Sequence, residues 1–338
     1  MRLLVLLLPL ALWAARRRRR RQGDEVGGVL DLVGSSPLLH LRSLSAATGC
    51  TILAKAEFLN PGGSSKDRVA LRMVREAEAQ GRLLPGGALV EATQGSTGVS
   101  LALVARACGY RCILLVPDDV SDQKLELMRA LGAEVEVVKP AAIANPAHPV
   151  NKARARAEEL GKGSIFTNQA APPLPFLLLT PFDNLANLRA HEATGREVWK
   201  QTRGKLHAFV MGAGTGGTIA GVSRFLKARA KAQVYPPGSG LHHRVVNGVL
   251  YDEGQQEVSA KRHRYDSMME GVGCDRITAN FEHAIIDDAL RISDEESVGM
   301  ARHLLEKEGL FVGGSAAMNC VGAGALRLED YGNRRGLG

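Results

Sequence analysis

Between Val33 and Ala230, short apolar runs alternate with helix-length segments, and this alternation limits the fold more than any other feature of the chain. Pro37 to Leu41 and Thr51 to Phe58 read as strands, and Asp67 to Gln80 carries Val69, Met73, Val74 and Ala77 at helix spacing. Ala88 to Glu91, Arg111 to Val116, Glu134 to Val138, Ser164 to Thr167 and Leu206 to Met211 read as further strands. Gly98 to Ala107, Ser121 to Leu131, Asn151 to Leu160, Asp183 to about Thr202 and Gly217 to about Ala230 read as helices. Such a pattern gives an α/β fold, a parallel sheet covered by helices through right-handed crossovers. Ligands then gather at the carboxyl ends of the strands, where the glycine-rich turns stand. Later, Ser293 with Glu296 forms a capping-box pattern, and the acidic residues Asp294 to Glu296 open a helix reaching about Glu308.

The 338 residues, 45% hydrophobic, suffice for one large or two medium domains. A net charge of +8 looks like a nucleic-acid signal until it is located: Arg16 to Arg21 supply six of the charges, and the body is nearly neutral. No nucleic-acid partner is therefore inferred. Five cysteines, scattered and odd in number, fit reduced thiols better than disulfides or a zinc site, so no metal is expected. Leu3 to Ala15 is an apolar run of 13 residues, short of the roughly 20 that a spanning helix needs. Its basic C-terminal flank leaves the body on the cytosolic side. We read residues 1–22 as a membrane anchor or targeting segment outside the fold, mitochondrial (outer membrane) with the endoplasmic reticulum as alternative. A misassigned start codon would also explain it.

Four turns could carry chemistry. In Asn60-Pro61-Gly62-Gly63-Ser64-Ser65-Lys66-Asp67-Arg68 a lysine stands where a helix opens, beside free N–H groups and the positive end of the dipole. Both disfavour its protonated form, as an amine nucleophile requires. A solvated first-turn lysine has the same sequence. Thr93-Gln94-Gly95-Ser96-Thr97-Gly98 turns hydroxyls and N–H groups toward one point and could hold a carboxylate, although an ordinary N-cap needs the same residues. Gly212-Ala213-Gly214-Thr215-Gly216-Gly217-Thr218 can close on a phosphate. It also fits the dinucleotide fingerprint, but no Asp or Glu occurs between Ala213 and Tyr251 to hold a ribose, which opposes a nicotinamide site. Phe311 to Ala317 places Ser315 before a late helix, where a simple helix start explains it equally. His242, His243 and His263 fall in a basic, loop-like stretch and read as solvated, while Met268 and Met269 read as gap-filling core.

Taken together, Asn60-Pro61 to Lys66-Asp67-Arg68, Glu91 to Gly98 and Gly214 to Thr218 resemble the lysine motif, substrate loop and phosphate loop of the cysteine synthase (O-acetylserine sulfhydrylase) and cystathionine β-synthase family. The chain is most similar to the divergent branch called cysteine synthase 2, which shares the Ser-Thr-Gly of the substrate loop and the Pro-Pro-Gly-Ser-Gly here at Pro236 to Gly240. This resemblance implies a fold type II pyridoxal-phosphate enzyme of two open parallel-sheet α/β domains with the active site between them. The catalytic region would be 33–326, with a smaller mobile domain at about 61–169 that closes over the substrate, a larger domain from 33–60 plus 182–326, and an irregular tail at 327–338. Lys66 would form the Schiff base with pyridoxal 5′-phosphate and then act as the base at the substrate Cα. Gly214, Thr215, Gly216, Gly217 and Thr218 would bind the phosphate, Ser315 the pyridine nitrogen, and Ser96 would stand at the cofactor's 3′-oxygen. Thr93, Gln94, Gly95, Thr97 and Gln169 would bind the substrate carboxylate. The implied reaction is β-replacement on O-acetyl-L-serine or another activated serine by sulfide, giving L-cysteine. The alternatives are a serine or threonine dehydratase and a catalytically silent membrane-tethered protein of the same fold. A homodimer is implied by the same resemblance.

The sequence departs from that family at four places. Ser96 replaces the usual Asn, Ala170 to Pro181 looks like an insertion, Lys231 to Pro237 is short for the strand before Pro-Pro-Gly, and Arg327 to Gly338 is polar where the family continues to a last strand.

Overall fold

The computed structural model describes residues 2–7, 26–93, 95–118, 120–139, 141, 145–167, 184–226, 233–235, 240–249, 269, 271–273 and 277–326. The strands are β1 Arg2–Leu7, β2 Leu38–His40, β3 Thr51–Ala56, β4 Ala88–Ala92, β5 Arg111–Pro117, β6 Glu134–Val138, β7 Ile165–Phe166, β8 Ala208–Gly212, β9 Gln233–Tyr235 and β10 Ala289–Arg291. The helices are α1 Arg42–Thr48, α2 Lys66–Ala79, α3 Ser96–Cys108, α4 Asp122–Ala130, α5 Pro149–Leu160, α6 Ala186–Gln201, α7 Gly217–Leu226, α8 Gly240–Asn247, α9 Ala279–Glu282, α10 Asp294–Glu308 and α11 Gly314–Ala325. The chain divides into two compact units. One comprises described residues within 1–10, 36–58 and 191–338, and the other those within 11–35 and 59–190.

The second unit holds a four-stranded sheet in the order β6-β5-β4-β7, parallel throughout. Strands buried on both faces read as continuous apolar runs, and β4 and β5 do. Leu89, Val90, Leu114, Leu115 and Val116 are all nearly inaccessible. Edge strand β6 is instead half polar and largely exposed, with Lys152 pairing Glu136 and Arg111 pairing Glu134 at its surface. One face is covered by α2, α3 and α4 through Ala70, Val74, Leu101, Val104 and Met128. The other is covered by α5 through Val150, Ala153 and Ala157.

The first unit holds a six-stranded sheet in the order β10-β9-β8-β1-β3-β2, in which only the β2–β3 pair is antiparallel. Its core joins Ile52, Ala54 and Val210 to Leu304 of α10 and to Ala316, Met318 and Cys320 of α11. Helix α10 carries the capping box expected at Ser293, whose Oγ accepts from Glu296 N at 3.2 Å while Ser293 N donates to Glu296 Oε2 at 2.7 Å. On β3, Lys55 is fully buried and donates to Ser36 O at 2.5 Å, Glu197 Oε2 at 2.6 Å and Gln201 Oε1 at 3.1 Å. Nothing in the apolar patterning of that strand foretold a buried cation.

Two expectations are corrected. The N-terminal apolar run does not lie wholly outside the fold, because Arg2–Leu7 pairs in parallel with β3 and with β8 inside the sheet. A strand with neighbours on both sides and a marginal membrane segment share the same composition, and the run's length separated them poorly. The remainder of the segment, residues 8–22, lies outside the described residues. No helix among the described residues is long and apolar enough to cross a membrane. The histidines expected in a loop are the second correction: His242 and His243 lie on α8, where the Arg291 guanidinium meets His243 Nε2. His263, Met268, the stretch 170–181 and the tail 327–338 lie outside the described residues, while Met269 is buried core. Cys50, Cys108, Cys112 and Cys320 are free, and burial pushes the Cys112 thiol up to about 12, as for an inert interior thiol.

Candidate active site

Each unit carries its own set of candidate residues. In the second unit, the turn over 59–65 leads to α2, whose first residue is Lys66. The turn is closed by Gly63 N donating to Asn60 O at 2.8 Å, with Gly63 in the left-handed region at φ 77°. Asn60 Oδ1 in turn accepts from Gly34 N at 2.7 Å. Ser65, the residue before the helix, gives no side-chain cap, so the first turn is secured otherwise. Ser64 Oγ accepts from Lys66 N at 3.2 Å, and Asp67, fully buried, accepts from Gly62 N at 2.5 Å and from Ser100 Oγ at 2.5 Å. Lys66 is half-buried, but desolvation around its ammonium group holds the pKa below the ordinary lysine value of 10.5. The neutral amine that a nucleophile requires is thereby favoured.

The hydroxyl-rich turn of the same unit leaves β4 and opens α3 at Ser96. Thr93 is buried, its N–H donates to Leu115 O at 3.1 Å, and its Oγ1 accepts from Gly95 N at 3.3 Å. A Cβ at Gly98 would stand 2.6 Å from Thr93 Cγ2, so glycine lets the helix start close against the strand end. Ser96 is exposed and Thr97 half-buried, both on the first turn of α3. Gln94 and Gln169 lie outside the described residues. Near the end of β7, buried Thr167 hydrogen-bonds the carboxylate of Glu91, and its carbonyl accepts from Asn184 Nδ2 at 2.7 Å.

In the first unit, β8 runs through Gly212 into Gly214, Thr215 and Gly216, and α7 opens at Gly217 and Thr218. A Cβ on Gly214 would collide with the Gly271 carbonyl. At Gly216 φ is 77° and a Cβ would lie 2.7 Å from Phe281 Cα, so both positions require glycine. Thr278 Oγ1 donates to Thr215 O at 2.7 Å, and Gly273 N donates to Ala213 O at 2.8 Å. Ala220 N bonds Gly216 O, so the N–H groups of the three preceding residues have no partner within the helix and present donors and dipole to an anion. Ser315, half-buried, stands on the first turn of α11. That helix is tied to the glycine turn by Asn319 Oδ1, which accepts from Gly212 N at 2.6 Å.

The family model described as "Pyridoxal-phosphate dependent enzyme" matches residues 29–334. The chain belongs to that family. Members depend on pyridoxal phosphate, and this chain is an enzyme of that kind. It is 46% identical over 315 residues to "Cysteine synthase 2" of Schizosaccharomyces pombe, an alignment covering 89% of this chain and 77% of the relative. It is 44% identical over 311 residues to a Saccharomyces cerevisiae protein named "Putative mitochondrial cysteine synthase", covering 88% of this chain and 76% of the relative. A solved hydrogen sulfide-producing enzyme from Fusobacterium nucleatum is 28% identical with a TM-score of 0.73, covering 93% of each chain. The residues present fit the cofactor: an amine with depressed basicity, and a glycine turn with no room for side chains beside free helix N–H groups, are what an aldehyde bearing a phosphate needs.

Sequence reasoning missed four supporting residues. Asp67 lies within the lysine motif, where its neighbours in sequence give it no role, and Ser100, Thr278 and Asn319 stand outside every motif named above. Asp67 accepts a bond from Ser100, 33 residues away, Thr278 donates across 63 residues, and Asn319 accepts across 107, so no local pattern marks them.

Proposed function

We propose that this chain is a cysteine synthase, making L-cysteine from O-acetyl-L-serine and sulfide by β-replacement with pyridoxal phosphate. The observation that carries the reading is Lys66, a helix-opening lysine whose amine is desolvated and held below ordinary lysine basicity. The names of the S. pombe and S. cerevisiae relatives support the same chemistry. When bound, pyridoxal phosphate supplies an aldehyde that condenses with amines and a ring that draws electrons from the substrate Cα.

In this reading Lys66 holds the cofactor and, once displaced by the substrate amine, takes the Cα proton, so that the β-substituent leaves and sulfide takes its place. The N–H groups and hydroxyls of Gly214, Thr215, Gly216, Gly217 and Thr218 hold the phosphate. Ser315 offers a neutral hydroxyl to the pyridine nitrogen, which unlike a carboxylate does not enforce ring protonation. Ser96 takes the position beside the ring oxygen. Thr93, Gly95 and Thr97 bind the substrate carboxylate, and Gln94 and Gln169 join them by family resemblance alone. A mitochondrial location is supported by the name of the S. cerevisiae relative, and a homodimer by family resemblance.

The test supplies O-acetyl-L-serine and sulfide to the full chain loaded with pyridoxal phosphate. Cysteine and acetate appearing in equal amounts is the expected result. Ammonia and a 2-oxo acid without cysteine would overturn the reading in favour of plain elimination, and a loaded protein with no turnover would overturn it outright.

A further inference from the structure

We propose that Asp67 is a positioning residue that sets the orientation of Lys66 and ties it to the hydroxyl-rich turn; this rests on Lys66 being the cofactor lysine. The helix that presents Lys66 gets no side-chain cap from Ser65, and Ser64 Oγ accepts from Lys66 N at 3.2 Å instead. The side chain next to Lys66 adds ties of its own, to the loop before the helix and to α3.

Asp67 is fully buried, and a buried carboxylate needs strong donors around it. Two of them are Gly62 N, five residues upstream, and Ser100 Oγ, 33 residues downstream on α3, each at 2.5 Å. The first bond closes the turn 62–67 upon itself, and a Cβ on Gly62 would strike the Asp67 carboxylate, so the turn accepts no larger residue there. The second bond joins α2 to α3 one turn beyond Ser96 and Thr97. The backbone that aims Lys66 and the helix that begins at the carboxylate-binding hydroxyls therefore share one carboxylate. It sits in the first turn of α2, where the helix dipole also favours it. A misaimed amine would still reach the cofactor but would transfer the proton poorly, because proton transfer tolerates little displacement.

The test uses the full chain loaded with pyridoxal phosphate, with variants Ser100→Ala, Asp67→Ala, Asp67→Asn and Lys66→Ala. Ser100→Ala is expected to retain the visible cofactor band, to lose about tenfold in kcat and to change KM by no more than about twofold. Asp67→Asn is expected to recover most of what Asp67→Ala loses, because the amide can accept from Gly62 N and donate to Ser100 Oγ. If Asp67→Ala fails to fold, Ser100→Ala decides alone. Ser100→Ala with a lowered Tm but unchanged kcat would overturn the proposal, because a merely structural tie would move stability only. If Lys66→Ala abolishes the band while Ser100→Ala is silent, only the positioning role falls. If Lys66→Ala keeps the band and turnover, the reading of Lys66 falls and takes this proposal with it.

Discussion

The two units hold their candidate residues by different means. Around Lys66 the backbone is fixed by side-chain hydrogen bonds, with Asp67 accepting from Gly62 N and Ser100 Oγ and Ser64 Oγ accepting from Lys66 N. Around Gly214 to Thr218 the curve is set chiefly by the absence of side chains, with Gly271 and Phe281 packed against Gly214 and Gly216 and Thr278 adding a side-chain bond to Thr215 O. A group that must present a moving proton needs an aimed side chain. An anion that only has to be held is served by backbone N–H groups and a tight curve. The first arrangement should fail gradually when one polar partner is removed, the second abruptly when one carbon is added.

Gly216→Val tests the abrupt case. A left-handed β-branched residue against Phe281 should raise the dissociation constant for pyridoxal phosphate about 100-fold or more, read by cofactor titration of the variant. Near-normal affinity would show that the curve is not what holds the phosphate.

The pH dependence of cofactor loading sharpens the other side. Because desolvation lowers the Lys66 pKa, the loading rate of cofactor-free protein should rise about tenfold per pH unit and level off below 10.5, the ordinary lysine value. A rate still climbing through that value would mean that the amine is solvated.

How much of this was legible in the sequence follows from the same contrast. The strand and helix alternation was legible because apolar periodicity is local: Glu134 to Val138 is β6, and the stripe of Val69, Met73, Val74 and Ala77 lies buried on α2. The glycine and hydroxyl turns were legible because their residues are contiguous. The ties that steady them were not, since Asn319 and Thr278 lie far along the chain from Gly212 and Thr215. Lys55 was missed because a buried charge depends on Glu197 and Gln201, brought close only by folding. Strand β1 was misread because a parallel strand with two neighbours looks like any short apolar run.

Asn319→Ala gives a smaller effect. It strands the buried Gly212 N–H and should cost about 1–3 kcal/mol of stability in a urea melt, with a severalfold loss of cofactor affinity because the glycine turn follows directly. Loss of affinity without loss of stability would instead place Asn319 at the cofactor itself.

The smallest effect is expected from Ser293→Ala, which removes the capping box of α10 and touches neither set. Stability should fall by about 1 kcal/mol, with cofactor affinity and loading unchanged. A change in affinity here would blur the distinction between the two means of support.

The most direct test of the central claim is the visible absorbance of the full chain with pyridoxal phosphate, before and after O-acetyl-L-serine, beside Lys66→Ala. The account predicts a band that requires Lys66 and shifts when the substrate is added. A folded chain that shows the same band with or without Lys66, or none at all, would contradict it.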